Sequence, residues 1–598
     1  MKNVIPTPRQ AAEYEGCFEA KNLSVFVDSA ADKRIVKAAR TLCRELEALT
    51  HSYVPISSSG QNKHAVVITH GEGGESYKLT VEKDRITVCG SGAAGAFYGI
   101  QTLRQLICAN GLFVPCCRID DAPDFVYRGF YHDISRGRVN RLETLKKIAD
   151  MLSYFKMNSL QLYVEDAFTF KELEGISTAE NALTPEEILE LDDYCHDRFI
   201  DLVPSLSTFG HLFTLLQSDR YCDICELGQH EITRNYWLER QWHHTVDVYN
   251  PKTIQVIGSM LGQYIPLFRS KYFNICCDET LDLCSGKNQG KDKGEAYFYH
   301  LDKLIEIVKS HGKTPMMWGD ECMARPEAAK KRVPGDTVIL NWCYRKQVNE
   351  WIPKFYYDLG FTQIVCPGTS CWDNFVEDID TSVGNISDFS AFAKKYGALG
   401  VLNTNWGDFG HICAFNCNLY GALVGAQKSW NTDATTDEAF ERSASLLMYG
   451  IKDYNIANVL RKLSKSASAC SWSRFVIWHS ANTLEGKETR LTLSDEEDYD
   501  PNDGINALEL CRQAILELTS LDSDDRRITD LLLAARGLAL MNREYLYVNK
   551  APGFCDGTAL QKDFDSWLAE YSASWLVGCK PSGLSRVQEF IRNITNAI

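Results

Sequence analysis

The sequence predicts an α/β protein built around a (β/α)8 TIM barrel, with a small α/β domain before the barrel and a helical region after it. Between residues 125 and 430, eight short apolar runs that end in polar or aromatic residues alternate with helical segments. Residues 1–124 mix short strands with helices, and residues 431–598 show helical spacing of their apolar residues. These three regions are the predicted domains.

The N-terminal region supplies short strands and two helices. The runs LSVFVDS and HAVVITH are typical strands, and DKRIVKAARTLCRELEALT between them has helical spacing. YKLTVEKDRITVCGS predicts a hairpin that turns at EKD. The helix AAGAFYGIQTLRQLI then leads to RIDDAPDF, an acidic joint with a proline that we take as the domain boundary.

The barrel region supplies eight predicted strands. In chain order they are GFYHDIS, SLQLYVED, DLVPSLST, YFNICCDE, TPMMWGD, TVILNW, QIVCPGTS and GVLNTNWGD. Helices such as RLETLKKIADMLSYFK and GEAYFYHLDKLIEIVKSHG lie between them, as a parallel barrel requires. Beyond residue 430, segments such as ALELCRQAILELTSL are helical and carry no catalytic motif.

Composition and charge exclude several classes of function. The net charge of -16 and the lack of a basic run argue against nucleic acid as a partner. The N-terminus has no apolar signal core and no segment of about 18 apolar residues occurs, so we expect a cytoplasmic protein without a membrane partner. The cysteines lie in strand-like or helical runs, which favours reduced thiols. Cys222 and Cys225, near His230, have a metal-like spacing but no second pair, so we expect no metal and no cofactor.

Acidic residues and tryptophans collect at the predicted strand ends. They are Asp133 with Arg136, Glu165 with Asp166, His211, Asp278 with Glu279, Trp318, Trp342, Trp372 with Asp373, and Trp406 with Asp408. The carboxyl ends of barrel strands form one bowl, so these side chains should face a common cavity. Carboxylates move protons and bind hydroxyls, and indoles stack on the apolar faces of sugar rings. The strand ends therefore predict a carbohydrate site.

These residues resemble glycoside hydrolase family 20, the β-N-acetylhexosaminidases, over about residues 1 to 410. The most specific motif is the Asp278-Glu279 pair in FNICCDET, although the glycines usual before the pair are here Cys276 and Cys277. YRGFYHDISR is similar to the family's opening strand, and the resemblance implies that Arg128 binds the hydroxyls of the terminal sugar. The small N-terminal domain is also similar to the one that precedes this family's barrel.

Further strand ends carry the same resemblance. QLYVED and TFGH are similar to the family's second and third strands and imply that Glu165 and His211 belong to the site. The implied pocket tryptophans and sugar-binding acid are Trp318, Trp342, Trp406 and Asp408. The family's tyrosine for the acetamido carbonyl is missing near the seventh strand, where GTSCWDNF places Cys371, Trp372 and Asp373. Tyr344 in NWCYR is the alternative for that role.

The chemistry implied by the resemblance needs no enzyme nucleophile. Neighbours on a strand point in opposite directions, so Asp278 and Glu279 do not form the facing pair that most glycosidases use. Family 20 is one of the substrate-assisted exceptions. The sugar's 2-acetamido oxygen would attack the anomeric carbon with net retention, Asp278 would orient that amide, and Glu279 would protonate the leaving oxygen. We expect the charge of Asp278 and the apolar surroundings to raise the pKa of Glu279.

The expected activity is that of an exo-β-N-acetylhexosaminidase acting on terminal β-linked GlcNAc or GalNAc of short glycans or glycoconjugate fragments. Two alternatives stay open, namely a sugar-binding protein without turnover and a glycosidase with its own nucleophile, such as Glu165 or Asp408. The carbohydrate substrate is the expected partner, and a homodimer stays open. The sequence does not decide between GlcNAc and GalNAc.

Overall fold

The computed structural model describes residues 3–59, 63–229, 235–241, 243–469, 471–484, 491 and 499–596. It confirms the predicted fold class, with a small α/β domain, a closed eight-stranded parallel barrel and a helical C-terminal region in that order. None of the helices in the described part of the chain combines the length and the apolar character that crossing a membrane requires.

The N-terminal domain is a seven-stranded sheet with two helices. Its strands are β1 (Gln10–Glu19), β2 (Ser24–Val27), β3 (Ile56–Ser57), β4 (Ala65–His70), β5 (Tyr77–Val81), β6 (Arg85–Gly90) and β7 (Phe113–Asp121), in the spatial order β1-β7-β5-β6-β4-β2-β3. The helices Lys33–Thr50 and Ala93–Asn110 share one hydrophobic core with the sheet.

Three strands of this sheet escaped the sequence prediction, namely β1, the two-residue β3 and β7. β1 is exposed along almost its whole length, so it lacks the alternation of apolar and polar residues that marks a strand. It pairs with β7 in antiparallel register, and β7 includes the first four residues of the segment RIDDAPDF. The connection to the barrel is therefore shorter than the predicted joint.

The barrel contains all eight predicted strands. They are β8 (Tyr127–Asp133), β9 (Ser159–Val164), β10 (Asp201–Leu206), β11 (Tyr272–Asn274), β12 (Thr314–Trp318), β13 (Val338–Trp342), β14 (Gln363–Cys366) and β15 (Gly400–Asn405), and β15 pairs with β8 to close the ring. Buried side chains such as Tyr131, Tyr163, Met316 and Leu402 fill the interior. The strand-end residues lie at one end of this packed core.

Helices surround the barrel and continue beyond it. The longer helices of the barrel are Leu142–Tyr154, Pro185–His196, Pro251–Tyr264, Lys293–Ser310, Trp351–Asp358, Ile379–Lys395 and Leu419–Trp430. Shorter helices are Phe213–Leu216, Tyr236–Glu239, Asp320–Ala324, Pro326–Arg332 and Asp408–His411. Those of the C-terminal region are Glu438–Tyr449, Ile456–Ala469, Trp472–His479, Pro501–Ser520, Arg526–Val548, Gly557–Gly578 and Leu584–Asn596. The helix from Pro185 starts at a capping box formed by Thr184 and Glu187, which satisfies free backbone amides of its first turn.

The C-terminal region braces loops at the open end of the barrel. Trp472 donates its indole N–H to the carbonyl of Phe409 at 2.7 Å and its backbone N–H to the carbonyl of Asp373 at 2.9 Å. Arg138, which follows β8, donates to the hydroxyl of Tyr571 at 2.7 Å. The loops after the seventh, eighth and first barrel strands are thus held by helices that carry no site motif of their own.

Candidate active site

The loop after β11 turns both carboxylates of the Asp278-Glu279 pair toward one point. β11 ends at Asn274, and Cys276 (φ 58°), Cys277 (φ 67°) and Glu279 (φ 46°) are left-handed. Such φ values favour glycine and end the extended backbone of a strand. The expectation that neighbouring side chains point apart is therefore wrong for this pair.

His211 is the point at which the pair converges. Its Nε2 lies 3.4 Å from Oδ2 of Asp278 and 3.6 Å from Oε2 of Glu279. Gly210 permits this approach, because a Cβ there would lie 3.0 Å from the carbonyl oxygen of Asp278. The prediction placed His211 in the site as a sugar-binding residue, whereas the structure places it against both carboxylates.

A second histidine supports His211 from behind. The ring of His244 stacks on that of His211 at 4.8 Å, and its Nδ1 accepts the backbone N–H of His211 at 2.8 Å. Burial opposes charge on His211, but the adjacent Asp278 carboxylate raises the pKa of His211 above its usual range. Burial and the charge of His211 hold the pKa of His244 well below its usual range. His244 therefore holds His211 where its Nε2 meets the Asp278 carboxylate.

Glu279 has the surroundings of a proton donor. Its side chain is 49% exposed, and partial burial together with the charge of Asp278 raises its pKa. This confirms the expected direction of the shift. The backbone N–H of Glu279 donates to Oδ2 of Asp320 at 3.1 Å. Burial and the charge of Asp278 raise the pKa of Asp320 to about 7.

Asp320, like His244, is a residue of the site that the sequence reasoning missed. It follows β12 in the run TPMMWGD, in which the strand-end pattern predicts only Trp318 as a site residue. An acid two residues beyond a strand-end tryptophan is the same signal that identified Asp408 after Trp406. Applied at every strand end, that pattern would have identified Asp320 as well.

A cavity of about 230 Å³ opens above these groups. The residues that line it are Arg136, Asp278, Glu279, Trp318, Trp342, Tyr344, Trp372, Trp406 and Asp408. Its volume lies below the roughly 300 to 1,000 Å³ of pockets for drug-sized ligands, which suits a single sugar ring. Asp278, Glu279 and Asp408 thus meet the four predicted tryptophans in one small cavity.

Aromatic rings form most of its wall. The rings of Trp318 and Trp406 lie 5.7 Å apart, and Trp342 stacks on Tyr344 at 5.2 Å. The indole N–H of Trp406 donates to the hydroxyl of Tyr344 at 2.7 Å. These contacts fix the rings in place, as a preorganised stacking surface requires.

Arg128 is not in this site, which corrects the expectation that it binds sugar. It is fully buried, and its guanidinium pairs with Glu75 of the N-terminal domain at 2.8 Å and donates to the carbonyl of Phe125. It is the second residue of β8, five residues before the carboxyl end at Asp133. At about 3.3 Å per residue it lies roughly 16 Å from the bowl.

Arg136 takes the place predicted for Arg128. Its guanidinium lies 3.2 Å from Asp408 and 3.5 Å from Glu165, and it covers the ring of Trp406 at 4.9 Å. It lies just beyond β8, where the chain has already entered the bowl. The arginine that lines the cavity is therefore eight residues farther along the same motif.

Four acids predicted at the strand ends are not among the described residues that line the cavity, namely Asp133, Glu165, Asp166 and Asp373. Glu165 is buried and binds the guanidinium of Arg240, and it accepts the hydroxyl proton of Tyr163 at 2.9 Å. Burial raises its pKa despite these arginine neighbours. Burial and the charge of Asp408 raise the pKa of Asp373 to about 7. Glu165 therefore helps to position Arg136 through their contact at 3.5 Å. Asp373 lies close enough to Asp408 for the charge of Asp408 to raise its pKa.

Comparison with known proteins agrees with this geometry. Residues 1–122 match the family model "Glycosyl hydrolase family 20, domain 2", and residues 125–382 match "Glycosyl hydrolase family 20, catalytic domain". The chain belongs to glycoside hydrolase family 20.

Relatives in this family share both sequence and fold with the chain. A beta-hexosaminidase of Porphyromonas gingivalis is 26% identical over 361 residues, which cover 53% of this chain and 45% of that protein. Beta-hexosaminidase subunit A2 of Dictyostelium discoideum is 24% identical over 267 residues, covering 41% of this chain and 47% of that protein. The chain spans about half the length of these relatives.

A chitobiase of Flavobacterium johnsoniae has a similar structure over almost the whole chain. Its TM-score is 0.64 at 20% identity, with 94% of this chain and 96% of that chain covered. At this identity the likeness establishes the shared fold, including the helical C-terminal region.

The family 20 site departs from the expected pattern near the seventh strand. Cys371 is buried and directs its thiol to Asn405 at 3.5 Å, which leaves the cavity wall to Trp372. A Cβ at Gly368 would lie 2.7 Å from the ring of Trp372 and 2.9 Å from that of Tyr344, so only glycine lets both rings pack there. Tyr344 is thus the tyrosine whose hydroxyl reaches this wall.

Three groups of the family 20 site also have the spacing of metal ligands. Donor atoms of His211, Asp278 and Glu279 lie within 4.8 Å of one another. The contact of His211 with Asp278, which raises the pKa of His211, and the raised pKa of Glu279 account for this cluster without a cation, and independence from metals stays a prediction. Cys222 and Cys225 do not belong to it, and His230 lies outside the described residues.

Proposed function

We propose that the protein is an exo-β-N-acetylhexosaminidase that removes one terminal β-linked GlcNAc or GalNAc from a glycan. The observation that carries the proposal is the convergence of Asp278 and Glu279 on His211 at the edge of a cavity of about 230 Å³. The cavity has room for one sugar ring, and Arg136 with Asp408 offers charged groups that bind hydroxyls.

The proposed mechanism is substrate-assisted and retaining. The acetamido oxygen of the bound sugar attacks the anomeric carbon while the glycosidic bond breaks, and Glu279 gives its proton to the leaving oxygen. Asp278 stabilises the positive charge that develops on the amide of the cyclic oxazolinium intermediate. Glu279 then takes a proton from water, which attacks the anomeric carbon and reopens the ring. Two inversions return the original configuration.

The electrostatics of the pair support these separate roles. The raised pKa of Glu279 keeps its proton available nearer to neutral pH, as a general acid requires. Nε2 of His211 faces the Asp278 carboxylate at 3.4 Å, and that carboxylate raises the pKa of His211. Tyr344, on the cavity wall, is the proposed donor to the acetamido carbonyl, and Trp406 fixes its hydroxyl.

The alternative of an enzyme nucleophile has less support. Glu165 is bound by Tyr163 and Arg240 and lies behind Arg136, away from the cavity lining. Asp408 is held by Arg136 at 3.2 Å. A nucleophile must reach the anomeric carbon without giving up such partners, whereas the acetamido oxygen is already attached to the sugar.

The experiment that tests the proposal pairs two substrates with two probes. We expect hydrolysis of 4-nitrophenyl β-glycosides of GlcNAc or GalNAc, and the ratio of the two rates decides the preference at the C4 hydroxyl. A thiazoline analogue of the oxazoline should inhibit far more strongly than the free sugar. Equal hydrolysis of 2-hydroxy glycosides, or a covalent adduct from a 2-fluoro sugar on Glu165 or Asp408, would overturn the substrate-assisted mechanism. Tight sugar binding without turnover would favour the non-hydrolytic alternative.

We also propose that the protein acts in the cytoplasm on glycan fragments taken into the cell. The cysteines of the described residues are free thiols, and most of them are buried, which suits a reducing compartment. Cell fractionation should place the protein with a cytosolic marker, and its appearance in the secreted fraction would contradict this. Size-exclusion chromatography with light scattering would decide the open question of a homodimer.

A further inference from the structure

A cavity of about 340 Å³ lies between the barrel and the C-terminal helices, away from the candidate active site. Its walls come from the helix Leu142–Tyr154, the segment 414–419 and the start of the helix Arg526–Val548. None of the described residues lines both this cavity and the sugar cavity. We call it the junction cavity. Its volume lies within the roughly 300 to 1,000 Å³ that is typical of small-molecule sites.

The lining of the junction cavity carries more positive than negative charge. Four of the side chains that line it are basic and two are acidic, namely Arg138, Lys147, Arg526, Arg527, Asp525 and Asp530. Both acids have cations beside them, since Arg527 binds Asp525 and Arg526 lies 3.5 Å from Asp530. Arg138 and Lys147 are left as an excess of positive charge, although the net charge of the chain is -16. A concave site with such an excess attracts anions.

Arg138 is a buried charge that no described carboxylate neutralises. It is 6% exposed, and its guanidinium donates to the carbonyls of His411 and Ile412 and to the hydroxyl of Tyr571. The thiol of Cys579 lies beside it, but burial raises the pKa of that thiol, which therefore stays neutral. Buried charges in proteins are normally paired. The lack of a counter-charge among the described residues therefore points to an anionic ligand.

Lys147 supplies a second cation at the rim of the cavity. It is exposed, and no described residue forms an ion pair with it. The neighbouring Lys146 differs in both respects that matter, because it pairs with Glu143 at 2.9 Å and Glu190 at 2.6 Å and does not line the cavity. Two uncompensated cations match a dianion. A phosphate monoester carries close to two negative charges at neutral pH, whereas a carboxylate would leave one cation unmatched.

The remaining wall suits the organic part of such an ester. Ile148, Leu419 and Met448 are buried apolar side chains of the lining. The hydroxyl of Thr144 donates to the carbonyl of Gly578 at 2.7 Å and keeps its lone pairs free to accept a proton from a ligand hydroxyl. A sugar ring has apolar faces and polar edges, as this wall requires. The junction cavity is larger than the sugar cavity, which leaves room for a phosphate beside one ring.

We infer that the junction cavity binds a phosphate monoester of about the size of a sugar phosphate, with the phosphate on Arg138 and Lys147. Arg138 also connects this cavity with the active site. It lies two residues beyond Arg136, and it holds the carbonyl of His411, three residues beyond Asp408. The ligand thus contacts the segments that follow the proposed hydroxyl-binding pair without entering the sugar cavity.

The test is isothermal titration calorimetry of the full chain with glucose 6-phosphate, inorganic phosphate and glucose. Glucose 6-phosphate lacks the acetamido group that the proposed reaction needs, so it is a poor ligand for the sugar cavity. We expect it to bind more tightly than inorganic phosphate by roughly tenfold or more, because its ring adds contacts with a preformed wall. Glucose alone should not bind measurably. A saturating amount of the thiazoline analogue should leave the affinity for glucose 6-phosphate unchanged.

Lys147 is the position for substitution, because Arg138 also holds backbone carbonyls and its loss would disturb the fold. Lys147→Ala should weaken binding of glucose 6-phosphate by roughly tenfold, as expected when a charge-assisted hydrogen bond to phosphate is removed, and Lys147→Arg should restore most of it. Hydrolysis of the 4-nitrophenyl glycosides should stay unchanged in both variants. Lys146→Ala is the matched control and should bind as the native protein does.

Four results would each overturn the inference. They are no measurable binding of glucose 6-phosphate by the native protein, equal affinities for inorganic phosphate and the ester, displacement of the ester by the thiazoline analogue, and equal losses in Lys146→Ala and Lys147→Ala. Equal affinities would indicate a site for simple anions only. Displacement by the thiazoline would place the ester in the sugar cavity.

Discussion

The backbone amide of Glu279 donates a hydrogen bond of 3.1 Å to Oδ2 of Asp320, and Glu279 itself is left-handed with φ 46°. A non-glycine residue keeps such a conformation only when its surroundings impose it. Asp320 is one of the groups that impose it, since the bond fixes the backbone from which the proposed acid extends. We therefore regard Asp320 as a positioning residue.

Replacing Asp320 should lower turnover more than binding. Asp320→Ala frees the amide of Glu279, and we expect kcat on a disaccharide to fall roughly 10- to 100-fold with little change in KM, because small misplacement of an acid is costly. Asp320→Asn keeps an oxygen acceptor and should retain more activity. Asp358→Ala, at an exposed acid paired with Lys354, is the control. A proportional loss of folded protein in Asp320→Ala would indicate a structural role instead.

Arg136→Ala should weaken substrate use without unfolding the protein. The guanidinium lines the sugar cavity and pairs with Asp408, so its loss removes charge-assisted hydrogen bonds to the sugar. We expect kcat/KM per folded molecule to fall by at least tenfold, and the melting temperature to fall as well because Glu165 loses a buried partner; steady-state kinetics and calorimetry would measure the two effects. Unaltered kcat/KM would remove Arg136 from the site.

Arg128→Ala should lower stability and spare activity. The side chain is fully buried and pairs with Glu75, so truncation leaves that carboxylate and nearby carbonyls without a partner. We expect the free energy of unfolding to fall by about 3 kcal/mol, as when one member of a buried ion pair is removed. Activity per folded molecule should persist. A specific rise in KM with full stability would return Arg128 to the sugar-binding role.

Glu279→Gln should make the rate depend strongly on the leaving group. Without its proton donor, the enzyme should lose roughly 10²- to 10⁴-fold in kcat/KM on a disaccharide, whose leaving oxygen needs protonation. It should lose far less on the β-fluoride of the same N-acetylhexosamine, because fluoride is a good leaving group without a proton. The measurement is kcat/KM over a series of leaving groups of falling pKa. A flat series, with equal losses throughout, would contradict the assignment of Glu279 as the acid.

Asp278→Asn should move the alkaline limb of the pH profile to lower pH. Activity needs protonated Glu279 and is lost as pH rises through its pKa, which burial and the charge of Asp278 raise. Removing that charge lowers the pKa of Glu279, so activity is lost at a lower pH. The residual rate itself should be orders of magnitude lower, because the amide loses its anionic partner. Asp408→Asn should give a smaller shift in the same direction, and a shift to higher pH in Asp278→Asn would refute the coupling.

The sequence by itself determined the barrel and most of the cavity lining. Each barrel strand is a short apolar run, and each ends in residues that are costly to bury, so strand positions and strand ends follow from local patterns. That is why Trp318, Trp342, Trp406 and Asp408 could be placed before any contact was known. The exposed strand Gln10–Glu19 lacked such a pattern, and its pairing with β7 could not be predicted.

Only the tertiary structure decided which way particular side chains face. Arg128 and Arg136 belong to one motif but lie on either side of the carboxyl end of β8 at Asp133. Arg128, near the start of the strand, pairs with Glu75, whereas Arg136, beyond its end, lines the sugar cavity. Asp278 and Glu279 converge because left-handed residues replace the strand geometry that alternation assumes. A pattern of residue types records which groups avoid burial. Their direction depends on backbone dihedrals and on neighbours far along the chain, which contacts between distant segments impose.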